Sequence, residues 1–177
     1  MAHSLTSGGR PALVLVPAPE ERELAPLVSF CSHCGARPHE ALGAASSRVC
    51  GDCGLGLLLE CAADVAPPLG GAFLVLDGSL SVCGVSASAE RLLATCETDA
   101  VNRHVTELLV PADAEAGREN LATAVTWAVR GDSAARRVVV RPANTFGIRL
   151  TARITACGPK PSALITFGRA GRGRPSP

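Results

Sequence analysis

Two copies of a C-x-x-C-G pattern constrain the fold of this 177-residue chain more than any other feature. The first copy runs from Cys31 to Gly35 and the second from Cys50 to Gly54, and fifteen residues separate Cys34 from Cys50. Two cysteines at this spacing can bind one metal ion from a tight turn. The glycine that follows can adopt a left-handed conformation that turns backbone N–H groups toward the sulfur atoms. The interval between the two copies falls within the range typical of zinc sites.

The four thiolates of these two knuckles are the predicted ligands of one tetrahedral metal site: Cys31, Cys34, Cys50 and Cys53. Four soft thiolates select zinc or iron, and zinc is the expected ion. A closed site of this kind has no open position for water, so no catalytic role is predicted for the metal. His33 and Cys61 are weaker alternative ligands. The remaining alternative is two unrelated pairs of buried or disulfide-bonded cysteines.

Composition narrows the class of protein and its expected compartment. The net charge of +1 gives no electrostatic reason to expect nucleic acid or an anionic membrane as partner. No apolar run approaches the roughly 18 residues of a membrane span, and the proline-broken stretch 11–19 lacks the pattern of a signal peptide. We therefore expect a cytoplasmic protein, in which thiols stay reduced and paired cysteines favour metal over disulfide.

Changes in composition divide the chain into five predicted segments. They are a flexible N-terminal segment (1–29), a zinc-knuckle or ribbon module (30–62), a linker (63–71), a larger domain (72–168) and a disordered tail (169–177). The module ends in an apolar run, Leu55 to Leu59, that so small a unit cannot bury alone. We expect these leucines to pack on the larger domain or on a second subunit.

Hydrophobic periodicity predicts an α+β fold for the larger domain. Asp77-Gly78 is a hairpin signal, Ser86 or Ser88 can cap a helix, and strict alternation over 148–157 indicates a half-buried antiparallel strand. The other predicted elements are strands at 72–76, 80–85, 136–141 and 163–167, a short helix around Val105–Leu109 and a longer helix over 114–130.

The order of these elements resembles that of a PAS domain between Ala72 and Gly168. PAS domains commonly have a strand ending in Asp, a helix start of the form N-x-A-x-x-x-L and a segment L-x-x-P-x-D. Ser86 stands at the usual Asn, and Ala94-Thr95 where Gly is frequent. The stretches that carry the resemblance are Phe73 to Gly78, Val85 to Leu93 and Val105 to Asp113.

This resemblance implies a five-stranded antiparallel sheet with helices on one face and a cavity between them for a small-molecule ligand. It also implies a role in sensing or protein interaction, often as a dimer. Haem is not expected, because His104 precedes the long helix, and a flavin adduct is not expected, because no cysteine lies near Asn102. Cys83, Cys96 and Cys157 are predicted to be small core residues, with a redox-sensing thiol as the alternative.

The predicted function is therefore a non-enzymatic signalling or regulatory protein that acts through a protein partner or through self-association, since no catalytic motif is present. Two alternatives remain. One is a zinc-ribbon regulator of transcription associated with nucleic acid, although Arg37 and Arg48 are the only arginines between the knuckles. The other is a rubredoxin-like iron electron carrier, although such sites usually lie among aromatic residues, which form 3% of this chain.

Arginines on the last strands raise a separate question. A turn at Asn144-Thr145 would place Arg141 near Arg149 and Arg137 near Arg153. The face is either a solvated basic surface or a docking surface for an acidic partner. A candidate for that partner lies in the same chain: Glu20, Glu21 and Glu23.

Overall fold

The strands form two antiparallel sheets in the computed structural model, which describes residues 25–38, 48–112, 120–145, 147–159 and 161–169. The small sheet pairs β1 (Leu27–Cys31) with β2 (Leu58–Ala62). Within the described ranges the large sheet has six strands in the order β4-β3-β8-β7-β6-β5. They are β3 (Phe73–Leu76), β4 (Val82–Val85), β5 (Leu109–Pro111), β6 (Arg136–Pro142), β7 (Leu150–Cys157) and β8 (Ser162–Arg169).

Helices cover one face of the large sheet, which we call the inner face. They are α1 (Ala87–Leu93), α2 (Glu97–Ala100), α3 (Leu121–Val129) and a 3₁₀ turn at Val105–Glu107. Apolar side chains of these helices pack in one buried cluster with inward residues of the strands, such as Leu74, Val140 and Ile154. The predicted α+β class and the antiparallel sheet with helices on one face are confirmed.

The cysteine module, defined here as described residues 25–38 and 48–66, packs on the opposite, outer face of the large sheet. Phe30 and Cys61 of its two strands form a second buried cluster with outward side chains of the sheet, including Phe73 and Leu164. The rings of Phe30 and Phe73 meet edge to face at a centroid distance of 5.8 Å. The backbones also pair, because Glu60 and Gly158 exchange N–H···O bonds of 3.1 and 2.8 Å.

The prediction that the apolar run 55–59 packs on the larger domain holds for part of that run. Leu59 packs against the outer-face cluster, and Leu58 packs against the cysteines. Leu55 and Leu57 are 73% and 53% exposed. Alternation within β2 directs Leu58 toward the cysteines and Leu59 toward the large sheet, whereas Leu55 and Leu57 precede the strand.

Two sequence-based predictions inside the larger domain hold only in part. The short helix expected around Val105–Leu109 is a 3₁₀ turn followed by the short edge strand β5, so the sheet has six strands rather than five. The longer helix expected over 114–130 is present from Leu121 as α3, and Asn120 is its N-cap, with an extended backbone and a side chain that accepts from the N–H of Thr123. Residues 113–119 lie outside the described ranges.

The described helices are all too short to cross a membrane.

Candidate metal centre

The two knuckles have the same backbone geometry. In each of them the glycine N–H donates to the carbonyl of the first cysteine: Gly35 to Cys31 at 3.0 Å and Gly54 to Cys50 at 2.9 Å. Both glycines have positive φ, +74° and +67°, as the C-x-x-C-G pattern predicts. The backbone N–H groups of His33 and Cys34 point to the sulfur of Cys31, each at 3.4 Å.

The folded chain brings the four predicted ligands together. Their Sγ atoms all lie within 4.8 Å of one another, with 3.6 Å between Cys31 and Cys53 and 3.9 Å between Cys34 and Cys50. Zinc–sulfur bonds of about 2.3 Å in a tetrahedron give sulfur–sulfur edges of about 3.8 Å. The donor set and its spacing therefore fit a tetrahedral thiolate-bound ion, and the weaker candidates His33 and Cys61 lie outside this cluster among the described residues.

The surroundings of the sulfur atoms affect their protonation differently. The backbone N–H groups of Gly56 and Leu55 lower the pKa of Cys53 to about 6, because hydrogen bonds to sulfur favour the thiolate. Burial raises the pKa of Cys34 to about 12 and also raises that of Cys31. Burial therefore disfavours the thiolate form of these two cysteines. A bound cation would offset this effect, because a coordinated thiol loses its proton to the solvent.

The first knuckle is also the point where the cysteine module contacts the helices of the large sheet. The carbonyl of His33 accepts from the N–H of Ala87, the first residue of α1, at 3.3 Å. The carbonyl of Cys34 accepts from the N–H of Gly70 in the predicted linker, at 3.1 Å. The first knuckle thus contacts both the linker and the start of a helix.

The His33 side chain faces the larger domain. Its Nδ1 lies 3.7 Å from Oε2 of Glu97 on α2, and Oε1 of the same carboxylate accepts from the N–H of Val85 at 3.3 Å. Glu97, Ala87 and Gly70 are contacts of the site that sequence reasoning missed. No local pattern marks them, because they are far from the knuckle along the chain.

Gly56 offers a direct test of how closely the two knuckles pack. A Cβ atom at Gly56 would lie 2.8 Å from the His33 nitrogen and would overlap the Cys31 sulfur. We expect Gly56→Ala to destabilise the module by about 1–3 kcal/mol, as overpacking does elsewhere, and to weaken zinc retention. Competition for zinc with a chromophoric chelator would measure the change in affinity.

The matched control is Gly51→Ala, in the second knuckle, where a Cβ atom would meet nothing within 4 Å. It should retain zinc as well as the unsubstituted chain does. Equal zinc affinity of the Gly56 and Gly51 variants would contradict the close packing of the knuckles.

The other cysteines are divided between core and surface. Cys61 and Cys157 are buried in the outer-face cluster, and burial raises their pKa values to about 11 and about 12. The core prediction for Cys157 is thus confirmed. The same prediction was wrong for Cys83 on β4 and for Cys96, which precedes α2, because both are exposed.

The larger unit can be classified from its sheet and helix starts. Its first two strands form the predicted hairpin, with Leu74 opposite Val85, and the Ser86 side chain caps α1 by accepting from the N–H of Ala89. Its last three strands are adjacent and antiparallel, and helices cover one face. This unit has a PAS-like fold.

His104 of the PAS-like unit caps the 3₁₀ turn, with its Nδ1 2.6 Å from the hydroxyl of Thr106.

No protein-family model matches the sequence, and no curated protein matches it. Similar solved structures include the PAS domain of an HTR-like protein from Haloarcula marismortui, with 15% identity and a TM-score of 0.41 over 56% of this chain and 80% of that one. A Rhodobacter sphaeroides LOV protein has 16% identity and a TM-score of 0.45, over 62% and 65% of the chains. The PAS domain of nitrogen regulation protein NR(II) from Vibrio parahaemolyticus has 15% identity and a TM-score of 0.39, over 55% and 87%.

Proposed function

We propose that this chain is a non-enzymatic signalling or regulatory protein of the cytoplasm, in which a zinc-bound cysteine module is fixed to a PAS-like sensor or protein-interaction domain. The proposed zinc ligands are Cys31, Cys34, Cys50 and Cys53. The observation that carries the proposal is the contact at the first knuckle, where carbonyls of two knuckle residues accept hydrogen bonds from Ala87 and Gly70. A structural metal at this position would fix the module against the PAS-like unit.

The proposed organisation follows the five segments expected from composition. Residues 30–62 form the zinc module, 63–71 the linker and 72–168 the sensor domain, between an N-terminal segment (1–29) and a tail (169–177). The cysteine module as defined above also includes the flanking residues 25–29 and 63–66. The linker is itself part of the contact, because Gly70 binds the first knuckle and Val65 belongs to the outer-face cluster. We therefore propose that the module and the PAS-like unit act as one body rather than as two tethered domains.

A small-molecule ligand is a further part of the proposal. The inner face, where the PAS resemblance places a cavity, is packed with apolar side chains. A cleft of about 620 Å³ lies on the outer face, between the cysteine module and the end of β7. Cys61, Asp64, Thr155 and Cys157 are among its lining residues, so it offers a mainly apolar surface with a few polar groups, as ligand sites usually do.

Native mass spectrometry of the full chain tests the metal, the assembly and the ligand together. We expect one zinc ion per chain. Where the chain self-associates, we expect a complex with twice the mass of the subunit. Cys34→Ser combined with Cys50→Ser should abolish the metal, because two of four thiolates are lost. Cys96→Ser is the matched control, since this exposed cysteine lies outside the cluster, and it should retain the metal.

A metal-free monomer without a retained small molecule would count against both halves of the proposal. The two alternative functions predict different results. A rubredoxin-like electron carrier would contain iron and would be coloured when oxidised. A nucleic-acid-associated regulator would bind DNA or RNA with an affinity that falls steeply as salt rises.

A further inference from the structure

The outer face of the large sheet is divided into a covered half and an open half. The cysteine module covers the half that includes β3, β8 and the end of β7, where Phe73, Leu164 and Cys157 are buried. The half formed by β6 and the first part of β7 is open, and Val139 at its centre is 38% exposed. We call this open half the arginine face, for the side chains described next.

Arginines oppose one another across the arginine face. Arg137 of β6 lies directly opposite Arg153 of β7, which confirms the pairing expected from the sequence. Val140 lies opposite Leu150, where the pairing ends, and Arg141 and Arg149 are the next residues of the two chain segments. Like charges directly opposite each other destabilise a sheet. An acidic group on this face would therefore relieve repulsion as well as form new ion pairs.

The described residues neutralise this charge only in part. Arg153 donates to the backbone oxygen of Asp64 at 3.1 Å and lies 3.4 Å from its carboxylate. Within the described ranges, neither Arg137 nor Arg141 has an acidic partner. The positive charge that lacks an acidic partner among the described residues is thus on β6, close to Asp64.

The first described residues of the chain, Ala25 and Pro26, lie near Asp64. The carbonyl of Pro26 accepts from the N–H of Ala63 at 2.9 Å, and Ala63 immediately precedes Asp64. An extended chain spans at most about 3.3–3.6 Å per residue. Glu23 and Glu20 can therefore lie up to about 10 and 20 Å from Pro26. Arg137 and Arg141 are about 13 Å apart along their strand, so the reach of the segment from Pro26 is of the same order as the length of this face.

We propose that the acidic segment formed by Glu20, Glu21 and Glu23 docks on the arginine face and neutralises Arg137 and Arg141. These glutamates lie outside the described residues. The segment carries three acids and one arginine, Arg22, so its charge complements the face. The inference does not depend on the identity of the metal or on a signalling role.

Cleavage of the full-length chain by a glutamate-specific protease tests this docking. Cleavage after Glu20, Glu21 and Glu23 should be slow at low salt. It should be about tenfold faster in Arg137→Glu/Arg141→Glu, because each partly exposed ion pair contributes a modest free energy. High salt should accelerate cleavage of the unsubstituted chain, since 1 M salt shortens the Debye length to about 3 Å.

Two further measurements make the result decisive. Arg91→Glu is the matched control, because Arg91 is exposed on α1, and it should leave the cleavage rate unchanged. Triple substitution of the three glutamates by glutamine should open the face to a short acidic peptide supplied in trans. Salt dependence in the unsubstituted chain provides the same answer should the Arg137/Arg141 variant fail to fold.

Cleavage that is fast at low salt and unchanged by salt or by Arg137→Glu/Arg141→Glu would overturn the proposal. Protection that rises with protein concentration and accompanies dimer formation would also overturn it, because the occupant would then be a second copy of the chain. Protection that is independent of concentration and lost on charge reversal is the expected result.

Discussion

Removal of the metal by a high-affinity chelator is expected to destabilise the PAS-like unit as well as the cysteine module. A structural zinc site contributes about 10–16 kcal/mol of apparent binding free energy, which is folding free energy where no site exists in the unfolded chain. The cluster around the four sulfur atoms has little apolar material of its own: Ala36 and Leu58 beside the cysteines. The module is therefore expected to unfold without its metal.

The loss of stability would extend to the large sheet, because the module covers half of its outer face. Unfolding of the module would expose Phe73, Val75 and Leu164, which are now at most 3% exposed. Burial of each such side chain is worth about 1.5–3 kcal/mol. A loss of a few kcal/mol should lower the midpoint of thermal unfolding of the PAS-like unit by about 10 °C or more.

Trp127 allows this effect to be measured apart from the module. It is the single tryptophan of the chain and lies on α3, over the inner face of the sheet. Its fluorescence should report a lower midpoint after chelation, and Cys34→Ser/Cys50→Ser should behave like the chelated protein. Cys96→Ser should respond to the chelator as the unsubstituted chain does. If the unfolding midpoint reported by Trp127 fluorescence did not change when zinc was removed, the cysteine module and the PAS-like unit would be independent in stability.

The four-cysteine cluster could be predicted from the sequence because its determinants are local. Each knuckle is specified by two cysteines and a glycine within five residues, and Gly35 and Gly54 both have the positive φ that the pattern requires. Strand β7 was predictable for a similar reason, since its alternation of apolar and polar residues identifies its buried face.

The errors arose where local patterns are ambiguous. The apolar spacing of Val105, Leu108 and Leu109 fits a helical turn, but a 3₁₀ turn followed by a strand buries the same side chains. Pro111 is compatible with β5 because β5 is an edge strand, where an unpaired backbone group is tolerated. In a run this short, tertiary contacts decide between helix and strand.

The position of the module on the outer face could not be predicted, because its determinants are distant in the sequence. Phe30 and Phe73 gave no sign of being neighbours, and Glu97 gave no sign that it faces His33. These contacts depend on the direction in which the linker crosses the sheet. They also explain why His33, a candidate ligand from its position in the first knuckle, faces the PAS-like unit instead.

Phe73→Ala is expected to be the most damaging single substitution outside the cysteines. Phe73 is fully buried on β3, packs edge to face on Phe30, and lies close to Gly35 of the first knuckle. Truncation of a buried phenylalanine costs about 3–5 kcal/mol. Because the ring contacts the knuckle, we also expect a weaker affinity for zinc, although Phe73 is not a ligand.

Two comparisons separate these effects. Phe167→Ala removes a partly buried ring that packs on the inner-face cluster, so it should lower the urea midpoint without changing zinc affinity. A double-mutant cycle of Phe30→Ala and Phe73→Ala should give a coupling of about 0.5–1.5 kcal/mol, as measured for other aromatic pairs. The two rings differ in that Phe73 packs against Phe30 and Gly35, whereas Phe167 does not. If both substitutions left zinc affinity unchanged, the outer-face contact would not link the metal site to the PAS-like unit.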